Sequence, residues 1–239
     1  MVLRNLVLAI LGIAIFSGCG KDSISAPKQC VVTDTSSNID ENITDKELLR
    51  CINRRFDERN DDYIPTDEEL LQLTGIACYP EYNITSIAGL GKLQNLGGIY
   101  LYSPNLKNIS AIRHLHKLTS FALGSDFVTD ISPLCSSQNI DDMGLEGKNI
   151  RDISPLAFQK KLKGLSFLNL DLSDISALSD LPNLEDLSLE KSSLNIEHII
   201  SIVKTIPNLT MISLNHFSES EQKRLEKALP NINLKFDVP

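Results

Sequence analysis

The 239-residue sequence predicts an α/β solenoid, a stack of coils that share one parallel sheet along a concave side. Three observations carry this expectation. Apolar residues recur with a period of 22, each period holds a short alternating stretch followed by a turning segment, and the periodic region is flanked by stretches of helical pattern.

The period is read in columns. One holds Ile87, Ile109, Ile131, Ile153 and Ile175, and another Leu90, Ile112, Leu134, Leu156 and Leu178. Further columns run Leu96, Leu118, Ile140, Leu162, Leu184; Ile99, Phe121, Met143, Leu165, Leu187; Leu101, Leu123, Leu145, Phe167, Leu189; and Ile84, Leu106, Val128, Ile150, Leu172, Leu194. Within a coil, Ile99 and Leu101 alternate as a strand with one buried face requires, and Leu106, Ile109 and Ile112 return to the same interior after a turn. A single coil cannot bury its apolar edge, so the coils stack and the core runs through them.

The elements follow in chain order. Residues 1–18 carry Arg4, an apolar run over 6–16 and the small residues Ser17 and Gly18, the layout of an export signal. The run falls short of the roughly 20 apolar residues that cross a bilayer. Residues 19–41 are rich in Ser, Thr, Asp and Lys and read as a flexible tether. Residues 42–75 read as a helical cap. Thr44-Asp45-Lys46-Glu47 has capping-box spacing before Leu48, Leu49, Cys51, Ile52 and Phe56 on one face, and Thr66-Asp67-Glu68-Glu69 repeats the signal before Leu70, Leu71 and Leu73. The repeats occupy residues 76–214. Past Leu194 the period lapses, and a helix is expected over 196–206 before Leu209, Ile212 and Leu214 restore a strand. Residues 215–239 form a helix-strand cap, opened by the box Ser218-Glu219-Ser220-Glu221 and closed by a strand over 232–236. Such ends cover the apolar face and sheet edge that an uncapped stack exposes.

Two resemblances add to this reading. Phe16-Ser17-Gly18-Cys19 resembles the bacterial lipobox, although Leu is usual where Phe16 stands. The resemblance implies cleavage before Cys19, acylation of its thiol, and membrane attachment through several acyl chains at about 0.8 kcal/mol per buried CH₂. Gly20 stands where similar lipoproteins carry the Asp of inner-membrane retention, which implies the outer membrane in a host with two. The repeats resemble the internalin-type leucine-rich repeat of bacterial surface proteins over residues 44–236. Asp130-Ile131-Ser132-Pro133-Leu134 and Asp152-Ile153-Ser154-Pro155-Leu156 are similar to that family's turn, and Asp174-Ile175-Ser176-Ala177-Leu178 is a near copy. One column departs: where the family keeps Asn, this chain has Tyr82, Pro104, Asp126, Lys148, Leu170 and Ser192, with Asn83, Asn105 and Asn149 one position later.

Of five cysteines, Cys19 goes to the lipid and Cys30, Cys51, Cys78 and Cys135 remain, an even number in an exported chain. Four thiols allow three pairings. Cys51, on the buried side of the first cap helix, and Cys78, at the opening of the repeats, are the favoured pair; Cys30 and Cys135 are left as a second bond or two free thiols.

No catalytic motif is present, so the expectation is a non-enzyme without cofactor or metal. Gly91-Lys92 and Gly147-Lys148 lack the hydroxyl and first glycine of a phosphate loop, and the His residues at 114, 116, 198 and 216 are scattered. A net charge of -8 and the absence of Trp argue against nucleic acid as a partner.

Recognition is expected on the concave face, between the core columns. The candidate binding residues are Tyr100, Tyr102, Asp142, Glu146, Ser166, Asp186, Ser188 and Glu190: an aromatic spot followed by an acidic field, suited to a partly basic protein partner. The resulting expectation is a lipid-anchored protein-interaction module of the bacterial envelope or surface. The alternative is an inhibitor or immunity-type protein that binds a basic toxin or enzyme.

Overall fold

The structure is a computed structural model, and it describes Cys30 and residues 41–56, 60–190 and 194–237. The export signal, Cys19 and most of the expected tether lie outside the described residues. Strands β1 (Gly75–Cys78), β2 (Gly98–Tyr102), β3 (Ser120–Gly124), β4 (Asp142–Glu146), β5 (Gly164–Leu168), β6 (Asp186–Glu190), β7 (Met211–Asn215) and β8 (Asn233–Asp237) form one open parallel sheet in chain order. The architecture is the α/β solenoid of a leucine-rich repeat. Its register follows the columns: Ile99 pairs with Phe121, Phe121 with Met143, and Leu165 with Leu187. The column residues are buried and merge into one core along the stack.

Strands β1–β5 return through short 3-10 turns, among them Ser110–His114, Ser132–Ser136, Ser154–Phe158 and Ser176–Asp180. The Asp-Ile-Ser stretch starts it. The side-chain oxygens of Asp130, Asp152 and Asp174 each accept from the serine amide two residues on, at 2.8 Å, and Asn108 does the same for Ser110. Pro133 and Pro155 occupy the first turn, where a missing N–H costs nothing.

The missing Asn column is replaced by neighbours. Ser103 Oγ donates to the Ile84 carbonyl and Ser125 Oγ to the Leu106 carbonyl, both at 2.6 Å, one position before that column. One position after it, Asn105 donates to Asn83 and Asn149 to the Asp126 carbonyl. A second ladder runs along the other end of the strands. Asn95, Asn139 and Asn183 donate to the Leu71, His116 and Lys160 carbonyls, and Lys117 and Lys161 donate to Asn95 and Asn139. These side chains satisfy loop carbonyls that stacking would otherwise leave unpaired.

The ends depart from the sequence expectations in three places. Helix α1 (Lys46–Asn53) is capped by Asp45, not Thr44, because Asp45 has two oxygens to share. One accepts from the Glu47 and Leu48 amides, and the other from the Thr85 amide, the Thr85 hydroxyl and the Ser86 amide. Glu47, expected to close the box, pairs instead with Arg50 at 3.0 Å. Helix α2 (Asp67–Leu70) keeps its Thr66 capping box but stops after one turn, and α3 (Ile196–Val203) ends before Ile206. Helix α4 (Glu219–Ala228) carries the Ser218 capping box and packs against α3.

Cys51 is bonded to Cys78 and Cys30 to Cys135. The first bond fastens α1 to β1; the second fastens the N-terminal segment to the 3-10 turn after β3. Serine at both Cys51 and Cys78 is expected to cost about 3 kcal/mol, mainly through the unfolded chain's restored freedom over a separation of 27 residues. Urea unfolding of the oxidised protein and the double variant checks it; equal midpoints would show that the clip contributes nothing.

Candidate interaction surface

Side chains between the core columns stand on the outward face of the sheet and form three rows across it. The first row runs Gly98, Ser120, Asp142, Gly164, Asp186; the middle row Tyr100, Ala122, Gly144, Ser166, Ser188; the third Tyr102, Gly124, Glu146, Leu168, Glu190. Tyr100 is 45% exposed, and Ser166, Asp142 and Asp186 are exposed, while Tyr102, Glu146, Ser188 and Glu190 are half-buried.

The eight candidate residues fall into two groups. Tyr100 and Tyr102 on β2 lie near β4, which carries Asp142 and Glu146, whereas Asp186, Ser188 and Glu190 lie on β6. Four interstrand steps, about 19 Å, separate Tyr102 from Glu190. Ser166 stands between the groups. Glu190 accepts from Ser188 at 3.2 Å. Among the described residues, no cation pairs with Asp142, Glu146, Asp186 or Glu190.

The tyrosine is held by its neighbour strand. The Tyr102 ring lies on Gly124, so closely that a Cβ there would overlap ring carbon Cδ1 and come within 2.8 Å of Cε1. Burial under this packing, then the negative charge of Glu146, pushes the Tyr102 phenol above its ordinary range, so it stays a neutral donor. Burial, then neighbouring Asp141, likewise raises the Asp142 carboxyl. In both cases burial is the larger cause and a neighbouring negative charge the smaller one. Gly124→Ala is expected to tip the Tyr102 ring off the sheet and increase its exposure, at a stability cost of about 1–2 kcal/mol. Ring-proton chemical shifts and accessibility to tyrosine-directed iodination check this; an unmoved ring would show that the contact does not position it.

Beside this ring, at the C-terminal ends of β2–β5, lies a hollow of about 210 Å³. Tyr102, Pro104, Gly124, Ser125 and Gly147 line it, together with the carboxylates Glu146 and Asp126. Larger depressions lie off the sheet face, among them two of note. One, of about 570 Å³, follows the Asn and Lys ladder; the other, of about 390 Å³, adjoins the Cys30–Cys135 bond.

Some of this surface is invisible to a fixed period. β1 pairs with β2 at a spacing of 23, Cys78 opposite Leu101, so Tyr79, 55% exposed, is next in line towards Tyr102. β6 pairs with β7 at a spacing of 25, which adds Ser213 and then Lys235 to the middle row. The pairing Ile76 with Ile99 and Cys78 with Leu101 was the available sequence signal, since both are apolar alternations one residue out of phase.

No protein-family model and no curated protein matches the chain. Solved structures do. An internalin from Listeria monocytogenes matches over 80% of this chain and 62% of its own, with 22% identity and a TM-score of 0.56. Internalin C2 from the same species matches over 84% of this chain and 99% of its own, at 22% identity and a TM-score of 0.52. A leucine-rich repeat protein from Leptospira interrogans matches over 64% of this chain and 40% of its own, at 22% identity and a TM-score of 0.52. The chain therefore spans less than two thirds of the first and third of these proteins. The likeness is one of fold.

Proposed function

We propose that this internalin-like solenoid is a bacterial envelope lipoprotein whose outward sheet face binds a partly basic protein. One observation carries the reading: an open eight-stranded face sets two tyrosines beside carboxylates that have no cationic partner among the described residues. Aromatic anchors on a flat field of small residues supply contact area at little entropic cost, and an unneutralised acidic field speeds capture of a basic surface. The other face of the coil consists of 3-10 turns whose side chains cap their own backbone.

Anchoring rests on Ser17-Gly18-Cys19, and the disulfide gives it a geometric consequence. Ten residues separate Cys19 from Cys30, so the anchor lies within about 40 Å of the bond to Cys135. That bond is on the 3-10 side. On this reading the sheet looks away from the membrane, and the partner comes from the side opposite the lipid.

The test has two parts. Cells carrying wild type and Cys19→Ser are fractionated: wild type is expected in the membrane fraction and the variant in the soluble one. Chemical crosslinking in intact cells then compares wild type with Tyr100→Ala/Tyr102→Ala, and the double variant is expected to lose at least about tenfold in crosslinked complex. Equal partitioning sinks the anchor, and equal crosslinking sinks the face.

A further inference from the structure

We infer that the hollow beside Tyr102 is the seat of a single arginine side chain from the partner. The inference deepens the proposed function and rests on its placement of the partner at the sheet face.

Size comes first. At about 210 Å³ the hollow is smaller than the roughly 300–1,000 Å³ of pockets that enclose whole small molecules, and it suits one inserted side chain. Two glycines line it where close packing leaves no room for a Cβ: Gly124 under the Tyr102 ring and Gly147 against the Ser125 carbonyl.

Chemistry comes second. The Tyr102 ring offers a π face as one wall, and Pro104 is an apolar companion for an aliphatic stem. Glu146 and Asp126, which also line the hollow, have no ion pair among the described residues. Lys107 and Lys148 are the nearest cations in sequence, but neither lines the hollow: Lys107 sits over the Phe127 ring at 5.6 Å. Burial and Glu146 together keep Tyr102 neutral, so its ring is an uncharged π surface beside the Glu146 carboxylate. A guanidinium stacks on an aromatic face and forks onto a carboxylate at once, which an ammonium does less well. Arginine is therefore the occupant.

The probe is N-acetyl-arginine methylamide, titrated into the full chain carrying Cys19→Ser so that it stays in solution, with amide and ring shifts followed by NMR. Weak, roughly millimolar, saturable shifts are expected at Tyr102, Gly124 and Gly147. Glu146→Gln should weaken them about tenfold, and the neutral citrulline analogue should produce none. No shift at these residues, or equal shifts with citrulline, overturns the assignment. A lysine analogue that binds as tightly as arginine also overturns it. If the double tyrosine variant loses crosslinking while the arginine probe leaves the hollow untouched, the face stands and the hollow falls; binding of the probe without any crosslinked partner supports the hollow and removes the interaction reading.

Discussion

Replacing Gly147 with alanine is expected to cost at least about 3 kcal/mol, the largest loss from any single added methyl group on the sheet side. Gly147 follows β4 with φ +148°, a conformation that L side chains rarely adopt, and its missing Cβ would overlap the Ser125 carbonyl oxygen of the preceding coil. The overlap is with backbone, which cannot rotate aside. Relief would require the two coils to separate where the Ser125 amide donates to the Glu146 carbonyl at 3.0 Å. A break in mid-stack also divides the solenoid, since each coil is stabilised only by its neighbours. Unfolding of Gly147→Ala is therefore expected to become biphasic as well as earlier. Gly98 supplies the control, because a Cβ there meets nothing within 4 Å, and Gly98→Ala should change stability by less than about 0.5 kcal/mol. Urea curves followed by circular dichroism compare them; equal midpoints for the two variants would contradict the account of the coil junction.

Asp45→Ala is expected to cost about 2–4 kcal/mol and to release the N-terminal cap. This carboxylate joins two structures. It caps α1 through the Glu47 and Leu48 amides and holds the first coil through Thr85 and Ser86. Asp45→Asn is nearly as damaging, because the amide nitrogen would face donors where an oxygen accepted. The pH dependence separates this from a loss of packing. Burial pushes the Asp45 carboxyl up, but the hydrogen bonds from Leu48, Thr85 and Ser86 outweigh it and hold it below the ordinary aspartate range. A depressed folded value means that its contribution is whole above the unfolded pKa and is lost as pH falls through the folded one. The stability gap between wild type and Asp45→Asn should therefore be full at neutral pH and narrow below about pH 4. Denaturant midpoints measured from pH 7 to pH 3 check it, and a gap independent of pH would remove the charge from the explanation.

The architecture was legible because burial repeats. Once Ile99, Phe121, Met143, Leu165 and Leu187 must face one interior, the register of β2–β6 follows, and with it the rows holding Tyr100, Asp142 and Glu190. What the sequence did not disclose depends on contacts between coils. Thr44 and Asp45 are both sound caps locally, and the choice was made by Thr85 and Ser86, some forty residues away. Tyr79 was missed because the first coil is one residue longer than the period. The hollow was missed because its lining includes glycines whose need is visible only when the Tyr102 ring and the Ser125 carbonyl are in place. The second disulfide was left open for a related reason: the path that brings Cys30 to Cys135 leaves no mark in local periodicity.

The most direct test of the sheet face as the binding surface is photocrosslinking from two positions in living cells. A photoreactive residue at Ser166 stands exposed at the centre of the sheet, and one at Ser154 stands exposed on the 3-10 side of the preceding coil. The account predicts a discrete crosslinked protein from position 166 that is lost with Tyr100→Ala/Tyr102→Ala, and none from position 154. A crosslinked partner from position 154 alone would contradict it and move recognition to the opposite side of the solenoid.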